Sequence, residues 1–345
     1  MNRRAALPGS RGRVPDTGPV SSAPLDPLSQ RIVGALQVDG RASWRKIAEV
    51  LDEPVRTVAR RGAALLEERT VQVVGLPNTD PTHLLRIRCR AGATATVAGA
   101  VASRRDTVFV YALGRAPEIV VEVMTPYATL AALVLDELPA LDGVEEVQVD
   151  PALLYFRTIA EWLPGLLSAE EIAGLGGVPT AGPFSPETDF RLDDAERTLL
   201  DVLARDGRTP LQEIAELLGC SDATARRRVE QLVERGVLRI RAVVEPALLG
   251  LPVETLLRVR VHPTKVDAVG RALVGSPLVR YCAFVAGEDQ LLVDVTTPDV
   301  DGLRALLADP TWIGGADQVA ATPLLRAYKR GGVLVDPSVG SSHER

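Results

Sequence analysis

The sequence predicts an α+β protein in which two winged helix-turn-helix domains alternate with two ferredoxin-like βαββαβ domains. A helical motif, DGRASWRKIAEVLD at 39–52, returns as DGRTPLQEIAELLG at 206–219. A strand motif, VEVMTP at 121–126, returns as VDVTTP at 293–298. The apolar residues of the first motif have the spacing of a helix, and those around the second alternate as in a strand. Repeats this far apart indicate a duplicated pair of domains.

The chain therefore divides into four domains, a linker and two tails. The tails are rich in Gly, Pro and Ser and are expected to be disordered. The linker is rich in Pro and Gly, with one short helix expected after Ser168. The predicted segments are a tail at 1–24, helix-turn-helix domains at 25–75 and 192–245, ferredoxin-like domains at 76–158 and 246–330, the linker at 159–191 and a tail at 331–345.

Composition excludes several classes of protein. The net charge of −6 argues against a nonspecific polyanion binder, although it permits a local basic face. No apolar run of about 18 residues predicts a membrane span, and the N-terminus lacks the apolar core of a secretory signal. The single cysteines Cys89, Cys220 and Cys282 have no metal-site spacing. We expect a cytoplasmic protein without a metal, a cofactor or a membrane partner.

The 192–245 segment predicts three helices and a strand. Asp193 caps the first helix, Pro210 opens the second, and Gly219 permits the left-handed turn after it. Ser221 caps a third helix at 222–235, and the VLRIRAVV segment that follows is typical of a wing. This arrangement is a helix-turn-helix, whose last helix enters the major groove of DNA.

The third helix should present a basic outer face. Ala225 and Val229 have core spacing, so Arg226 and Arg227 face outward as candidates for phosphate or guanine contacts. The alternative is a solvated face with salt bridges to Glu230 and Glu234. The predicted DNA-binding residues of this domain are Arg208, Ser221, Ala223, Thr224, Arg226, Arg227 and Arg228.

The 25–75 segment follows the same plan with departures. Asp52 replaces the turn glycine, Pro54 replaces the capping serine, and Ala59 occupies the position of Arg226. Gly62 lies inside the third helix, where glycine costs about 1 kcal/mol relative to alanine. This domain should therefore bind DNA more weakly. Its predicted DNA-binding residues are Arg41, Arg56, Thr57, Arg60 and Arg61.

The two remaining domains show the order strand, helix, strand, strand, helix, strand. Such a domain has a four-stranded sheet with two helices on one face and a second face left free. We assign Leu256, Val259 and Val261 to that free face, which should pack against another copy of the sheet.

These motifs together resemble the leucine-responsive/asparagine-activator (Lrp/AsnC) family of bacterial regulators. The resemblance rests on DGR, EIAELLGCS and RRRVEQLVERGVL followed by a βαββαβ pattern, and it covers 25–158 and 192–330 as a tandem fusion. It implies binding of double-stranded DNA, association through the ferredoxin-like domains, and a small effector such as an amino acid. The family's effector loop reads Gly-x-x-Asp. In the second unit Gly287 and Glu288 begin the loop, but the acid comes one place early at Asp289, and Gln290 stands where the Asp would fall. The first unit has Gly114 but no acid at the corresponding place.

A tandem chain can pair its own two sheets as a pseudo-dimer, and further association of chains is expected. Two non-identical DNA-binding domains favour an imperfectly palindromic operator.

Two other functions stay open. Siroheme decarboxylases share this architecture, and they would need polar groups, histidine among them, around a tetrapyrrole. His83, His262 and His343 do not fall together in the predicted fold. An effector-binding module whose helix-turn-helix domains contact protein instead of DNA is the other alternative.

Overall fold

The computed structural model describes residues 23–115, 117–177 and 191–335. The predicted mixed α+β class is confirmed. The helices are α1 (Pro27–Val38), α2 (Trp44–Leu51), α3 (Val55–Glu67), α4 (Thr94–Ala102), α5 (Tyr127–Ala132), α6 (Ala169–Gly174), α7 (Asp194–Arg205), α8 (Leu211–Leu218), α9 (Asp222–Glu234), α10 (Val266–Leu273), α11 (Val300–Leu307) and α12 (Pro310–Ile313). The strands are β1 (Gln72–Pro77), β2 (Thr82–Cys89), β3 (Thr107–Leu113), β4 (Glu118–Met124), β5 (Val144–Arg157), β6 (Leu238–Val243), β7 (Val253–Val261), β8 (Val279–Val285), β9 (Leu291–Thr297), β10 (Ala316–Arg330) and β11 (Val333–Leu334).

Local sequence explains how the two helical domains begin and turn. Asp193 accepts a hydrogen bond from the Glu196 amide and so caps α7, and Ser221 caps α9. The turn after α8 has left-handed backbone at Gly219, with φ 61°. Asp52, at the equivalent place after α2, adopts the same conformation with φ 53°. Aspartate visits this region more readily than most residues, so the missing glycine does not remove the turn.

The strands that follow the two helical domains are not separate wings. β1 and β6 pair with each other in an antiparallel two-stranded sheet, in which Gln72 lies opposite Val243 and Pro77 opposite Leu238. The prediction of a wing after each domain is wrong in this respect, because the backbone groups of each strand are satisfied by the other strand. The pairing joins the two helical domains, whose apolar side chains share one core.

The other main strands form a closed barrel. Its order is β10-β3-β4-β2-β5-β8-β9-β7, and β7 pairs again with β10. β5 pairs with β2 through its first half and with β8 through its second half. β10 likewise pairs first with β7 and then with β3. The two predicted sheets are thus joined at both edges, which leaves no edge between them open.

The free faces of the two sheets meet inside this barrel. Residues of both halves, such as Leu84, Phe109 and Leu256, share one interior core. Val259 and Val261 were assigned to the free face, and this is wrong. They are buried under α10 and α11 with Leu257, because side chains two positions apart in a strand share one face.

The linker and the C-terminal segment are partly described. The predicted short helix is present as α6, with Ser168 and Glu171 forming its capping box. The segment 331–335 was expected to belong to a disordered tail, but β11 pairs with the end of β10 through a turn at Gly331 and Gly332. The remaining parts of the predicted tails, 1–22 and 336–345, lie outside the described residues, as does 178–190 of the linker. Across the described chain, every helix is too short or too polar to traverse a lipid bilayer.

Candidate nucleic-acid interface and effector pocket

The DGR turns of the two helical domains bind each other. The Arg41 guanidinium donates to the carbonyl oxygens of Gly207 (2.8 Å) and Thr209 (2.9 Å). Arg208 returns the contact by donating to the carbonyl oxygens of Gly40 (2.7 Å) and Ala42 (3.2 Å). Burial lowers the pKa of both guanidinium groups. Arg41 and Arg208 were predicted to contact DNA, and the structure instead commits them to the junction between the domains.

A second pair of equivalent arginines holds each third helix against the first helix of its own domain. Arg61 lies 2.5 Å from the carboxylate of Asp26, the residue that caps α1. Arg228 lies 3.1 Å from the carboxylate of Asp193, the cap of α7. The Glu196 amide and then Arg228 lower the pKa of Asp193. We therefore assign Arg61 and Arg228 to positioning of the third helices rather than to the DNA contacts predicted for them.

The remaining predicted residues of α9 lie at its N-terminal half. Ala223, Arg226 and Arg227 are exposed. Ser221 caps the helix by accepting from the backbone of Thr224, so both residues fix its start. Within the described residues, neither Arg226 nor Arg227 has a salt bridge, to Glu230 or to any other acid. Their guanidinium groups are thus available to an external anion.

α3 presents a different set of side chains. Arg56 and Arg60 are exposed, and Thr57 is half-buried beside them. Gly62 has a packing role that the sequence alone does not reveal: a Cβ atom there would lie 2.3 Å from Cζ3 of Trp44. The indole of Trp44 occupies that space and also lies 4.7 Å from the Arg208 guanidinium carbon. The glycine in this helix therefore makes room for the tryptophan, so it has a packing role as well as a cost to the helix.

A small cavity lies between the two halves of the chain. Two arginines and two aspartates line it, together with apolar residues that include Leu84 and Val120. The charged lining residues are Arg86, Asp150, Arg258 and Asp289. Of these, only Asp289 was predicted from the sequence. The others come from β2, β5 and β7, and only the closed barrel brings these strands together.

The other predicted effector residues lie around this cavity or away from it. Gly287 passes close to Asp150, and Glu288 is exposed beside it. Gln290 is used within the loop, because its side chain accepts from the Val261 amide at 2.9 Å and donates to the Gly287 carbonyl. Gly114 donates its amide to the Pro323 carbonyl at the other seam of the barrel and does not line the cavity.

The charged side chains of the cavity form ion pairs with one another and with acids beside it. Arg86 Nε lies 3.3 Å from Asp150 Oδ2, and Arg258 Nη1 lies 3.4 Å from Glu118 Oε1. Asp289 lies 3.9 Å from Arg260. Burial raises the pKa of Asp150, although Arg86 and Arg258 act in the opposite direction. The cavity thus has donors and acceptors of both signs near its surface.

Comparisons with known proteins match three segments of the chain. Residues 25–66 and 192–233 both match the AsnC-type helix-turn-helix domain, and 254–334 matches the Lrp/AsnC ligand binding domain. An uncharacterized HTH-type transcriptional regulator of Pyrococcus horikoshii is 31% identical over 143 residues, which are 41% of this chain and 90% of that protein. The chain belongs to the Lrp/AsnC family of transcriptional regulators.

Two further similarities differ in how much of the chain they cover. The HTH-type transcriptional regulator LrpA of Pyrococcus abyssi is 28% identical over 140 residues, 40% of this Lrp/AsnC chain and 99% of that protein. The siroheme decarboxylase NirDL is similar in fold over 88% of this chain and 92% of its own, with a TM-score of 0.58 and 14% identity. That likeness concerns the fold alone.

Proposed function

We propose that this Lrp/AsnC protein binds double-stranded DNA through two unequal recognition helices, α3 and α9, carried by a tandem fusion of two regulator units. The observation that carries the proposal is the junction of the helical domains. Arg41 and Arg208 exchange hydrogen bonds across it, while Arg226 and Arg227 remain exposed without salt bridges among the described residues. One chain would thus supply two DNA-binding domains, as a regulator dimer does for two half-sites.

The two helices should prefer different half-sites. α9 presents Arg226 and Arg227, whereas α3 presents Arg56 and Arg60 and has Ala59 at the position of Arg226. Arginine pairs in a bidentate way with guanine, and each such contact discriminates by about 1–3 kcal/mol. An operator with two unequal halves follows, with the stronger half under α9.

The ferredoxin-like halves complete the proposal. Their barrel pairs the two units within one chain, and further chains would associate through its outer surface. An amino acid or another small effector would bind between these domains and change the affinity for DNA. Since the proposed target is the chromosome, the protein would act in the cytoplasm.

The test is binding of the full chain to DNA from around its own gene, followed by fluorescence anisotropy at several salt concentrations. We compare the wild type with R226A/R227A, with R60A and with a control, R271A/R304A. The control removes the same charge from α10 and α11. The wild type and the control should bind selectively, with log affinity falling linearly as log salt rises.

R226A/R227A should lose selectivity, and its salt slope should fall by about 1.8 if both arginines contact phosphates. R60A should lose less affinity for DNA than R226A/R227A loses. The proposal is overturned if the wild type shows no selective binding at any salt concentration, or if R226A/R227A binds like the control.

An enzyme of the siroheme decarboxylase type remains the second candidate because of the likeness in fold over most of the chain. The two described histidines fit it less well. His83 is buried against the Thr125 carbonyl, and His262 caps an exposed turn at Thr264. Titration with an iron tetrapyrrole, followed by its absorbance, tests this candidate directly. A saturable spectral change in a protein that does not bind DNA would favour the enzyme.

A further inference from the structure

The second helices of the two helical domains differ in charge at their starts. α2 has Arg45 and Lys46 in its first turn, whereas α8 has Gln212 and Glu213 at the equivalent positions. Arg45, Gln212 and Glu213 are exposed. Because packing within a domain places little demand on exposed side chains, it does not explain this difference in charge.

The guanidinium group of Arg45 is not used within the protein. Among the described residues, it takes part in no salt bridge and no hydrogen bond. Lys46 is engaged, because its Nζ atom lies 3.7 Å from the Asp39 carboxylate and donates to the Leu175 carbonyl at 3.0 Å. Arg45 is thus the cation of this turn that stays available to an external anion.

The start of α2 lies between α3 and the junction with the second domain. Trp44, its first residue, packs against Gly62 of α3, and the same indole lies 4.7 Å from the guanidinium carbon of Arg208. Burial lowers the pKa of Arg41 in the turn before α2, and the like charge of Arg226 on α9 adds to that effect. The first turn of α2 is therefore close to both recognition helices.

The overall charge of the two domains differs in the same sense. Residues 25–75 contain eight basic and seven acidic residues, whereas residues 192–245 contain nine basic and eleven acidic residues. Duplex DNA is a dense polyanion, so the excess of acids in the second domain opposes every contact that is not specific. The first domain has no such excess, and it is better suited to binding that does not depend on sequence.

We propose that Arg45 binds a backbone phosphate of the duplex, so that the first helical domain contributes affinity for DNA of any sequence while α9 selects the sequence. In a helix-turn-helix, the helix before the recognition helix crosses the DNA backbone, and here that helix is α2. Arginine forms strong, charge-assisted hydrogen bonds with phosphate oxygens. Such contacts fix the position of a protein on the duplex but do not discriminate between sequences.

This inference rests on the proposed binding of double-stranded DNA, to which it adds a residue and a division of roles. The test measures the affinity of the full chain for two duplexes of equal length and composition, one from around its own gene and one with that sequence scrambled. Fluorescence anisotropy is recorded between about 0.05 and 0.3 M salt, where affinity depends steeply on phosphate contacts.

R45Q gives α2 the residue that α8 has at this position, and R271Q removes the same charge from the exposed surface of α10. R45Q should lower the affinity for both duplexes by the same factor, about 3- to 10-fold at about 0.1 M salt, and its salt slope should fall by about 0.9. R271Q should bind both duplexes like the wild type.

Two further variants separate a phosphate contact from other roles. R45K keeps the charge without the planar fork of arginine, so it should retain the salt slope of the wild type. Q212A changes the equivalent position of α8, where Gln212 donates to Glu216, and it should bind like the wild type. Thermal unfolding shows whether each variant is folded, and R45A replaces R45Q if R45Q is not.

The proposal is overturned if R45Q binds both duplexes as R271Q does. It is also overturned if R45Q loses affinity only for the duplex from its own gene, because Arg45 would then contact bases. If the wild type binds both duplexes equally and R45Q weakens both, the role of Arg45 is supported and the proposed selective binding is refuted. A wild type that binds neither duplex would overturn both proposals.

Discussion

Replacing Arg41 with alanine distinguishes a junction residue from a DNA contact. In the structure its guanidinium donates to two carbonyl oxygens of the other helical domain, at 2.8 and 2.9 Å. A hydrogen bond to a charged group contributes about 1.5–3 kcal/mol net. Two such bonds would together contribute about 3–6 kcal/mol. Because Arg41 is only half-buried, we expect R41A to lower the free energy of unfolding by less than this, about 2–4 kcal/mol.

The assay is urea unfolding followed by circular dichroism and by tryptophan fluorescence, since Trp44 lies beside Arg208 at this junction. R41K keeps a charge but loses the two-pronged contact, so its stability should fall between those of R41A and the wild type. R45A removes an exposed arginine from the same helical domain and should change stability by less than about 0.5 kcal/mol.

A double-mutant cycle with R208A extends this test. The two arginines secure one junction from opposite sides, so their effects should not add, and a coupling of about 0.5–3 kcal/mol is expected. The reasoning is refuted if R41A unfolds like the wild type and yet loses DNA affinity. Arg41 would then be the DNA contact that its sequence position suggests.

Three further predictions concern single positions. Burial raises the pKa of Glu122 from 4.5 to about 7. Its contribution to stability is therefore complete below pH 4.5 and is lost as the pH rises through 7. Between pH 5 and 8, the free energy of unfolding in urea should fall less for E122Q than for the wild type, and an equal fall would contradict this. G62A should lower the free energy of unfolding by about 1–3 kcal/mol, because it forces a Cβ atom against Trp44. Adding W44L should restore part of this stability, since the second domain has Leu211 at the position equivalent to Trp44. Thermal unfolding of the single and double variants measures both effects. S221A should cost about 0.5–2 kcal/mol by removing the cap of the recognition helix α9, and a variant with unchanged stability would show that the cap contributes nothing.

Elements with local signals could be predicted from the sequence. Asp193 and Ser221 cap their helices where expected, and Ser168 caps the short linker helix. Each cap needs only a side chain and the amides two or three residues later, so short-range sequence contains the information. Arg226 and Arg227 were placed on an outer face by helical spacing alone, and both are exposed.

Residues whose role depends on a distant partner could not be assigned in this way. Arg41 and Arg227 both looked like DNA contacts, because nothing near Arg41 in the chain reveals a carbonyl 166 residues away. The same limit concealed Arg86, Asp150 and Arg258, which lie on three separate strands.

The sequence by itself thus determined the two helix-turn-helix segments, most helices and strands, and the resemblance to the Lrp/AsnC family, because local periodicity and motifs contain this information. Only the tertiary structure decided that the supposed wings pair with each other and that β5 and β10 close the two sheets into one barrel. It also decided which arginines are hydrogen-bonded within the protein and which stay exposed. The physical reason is that strands and ion pairs can join groups at any separation along the chain. The partner of each hydrogen-bond donor is therefore decided only when the whole chain has folded.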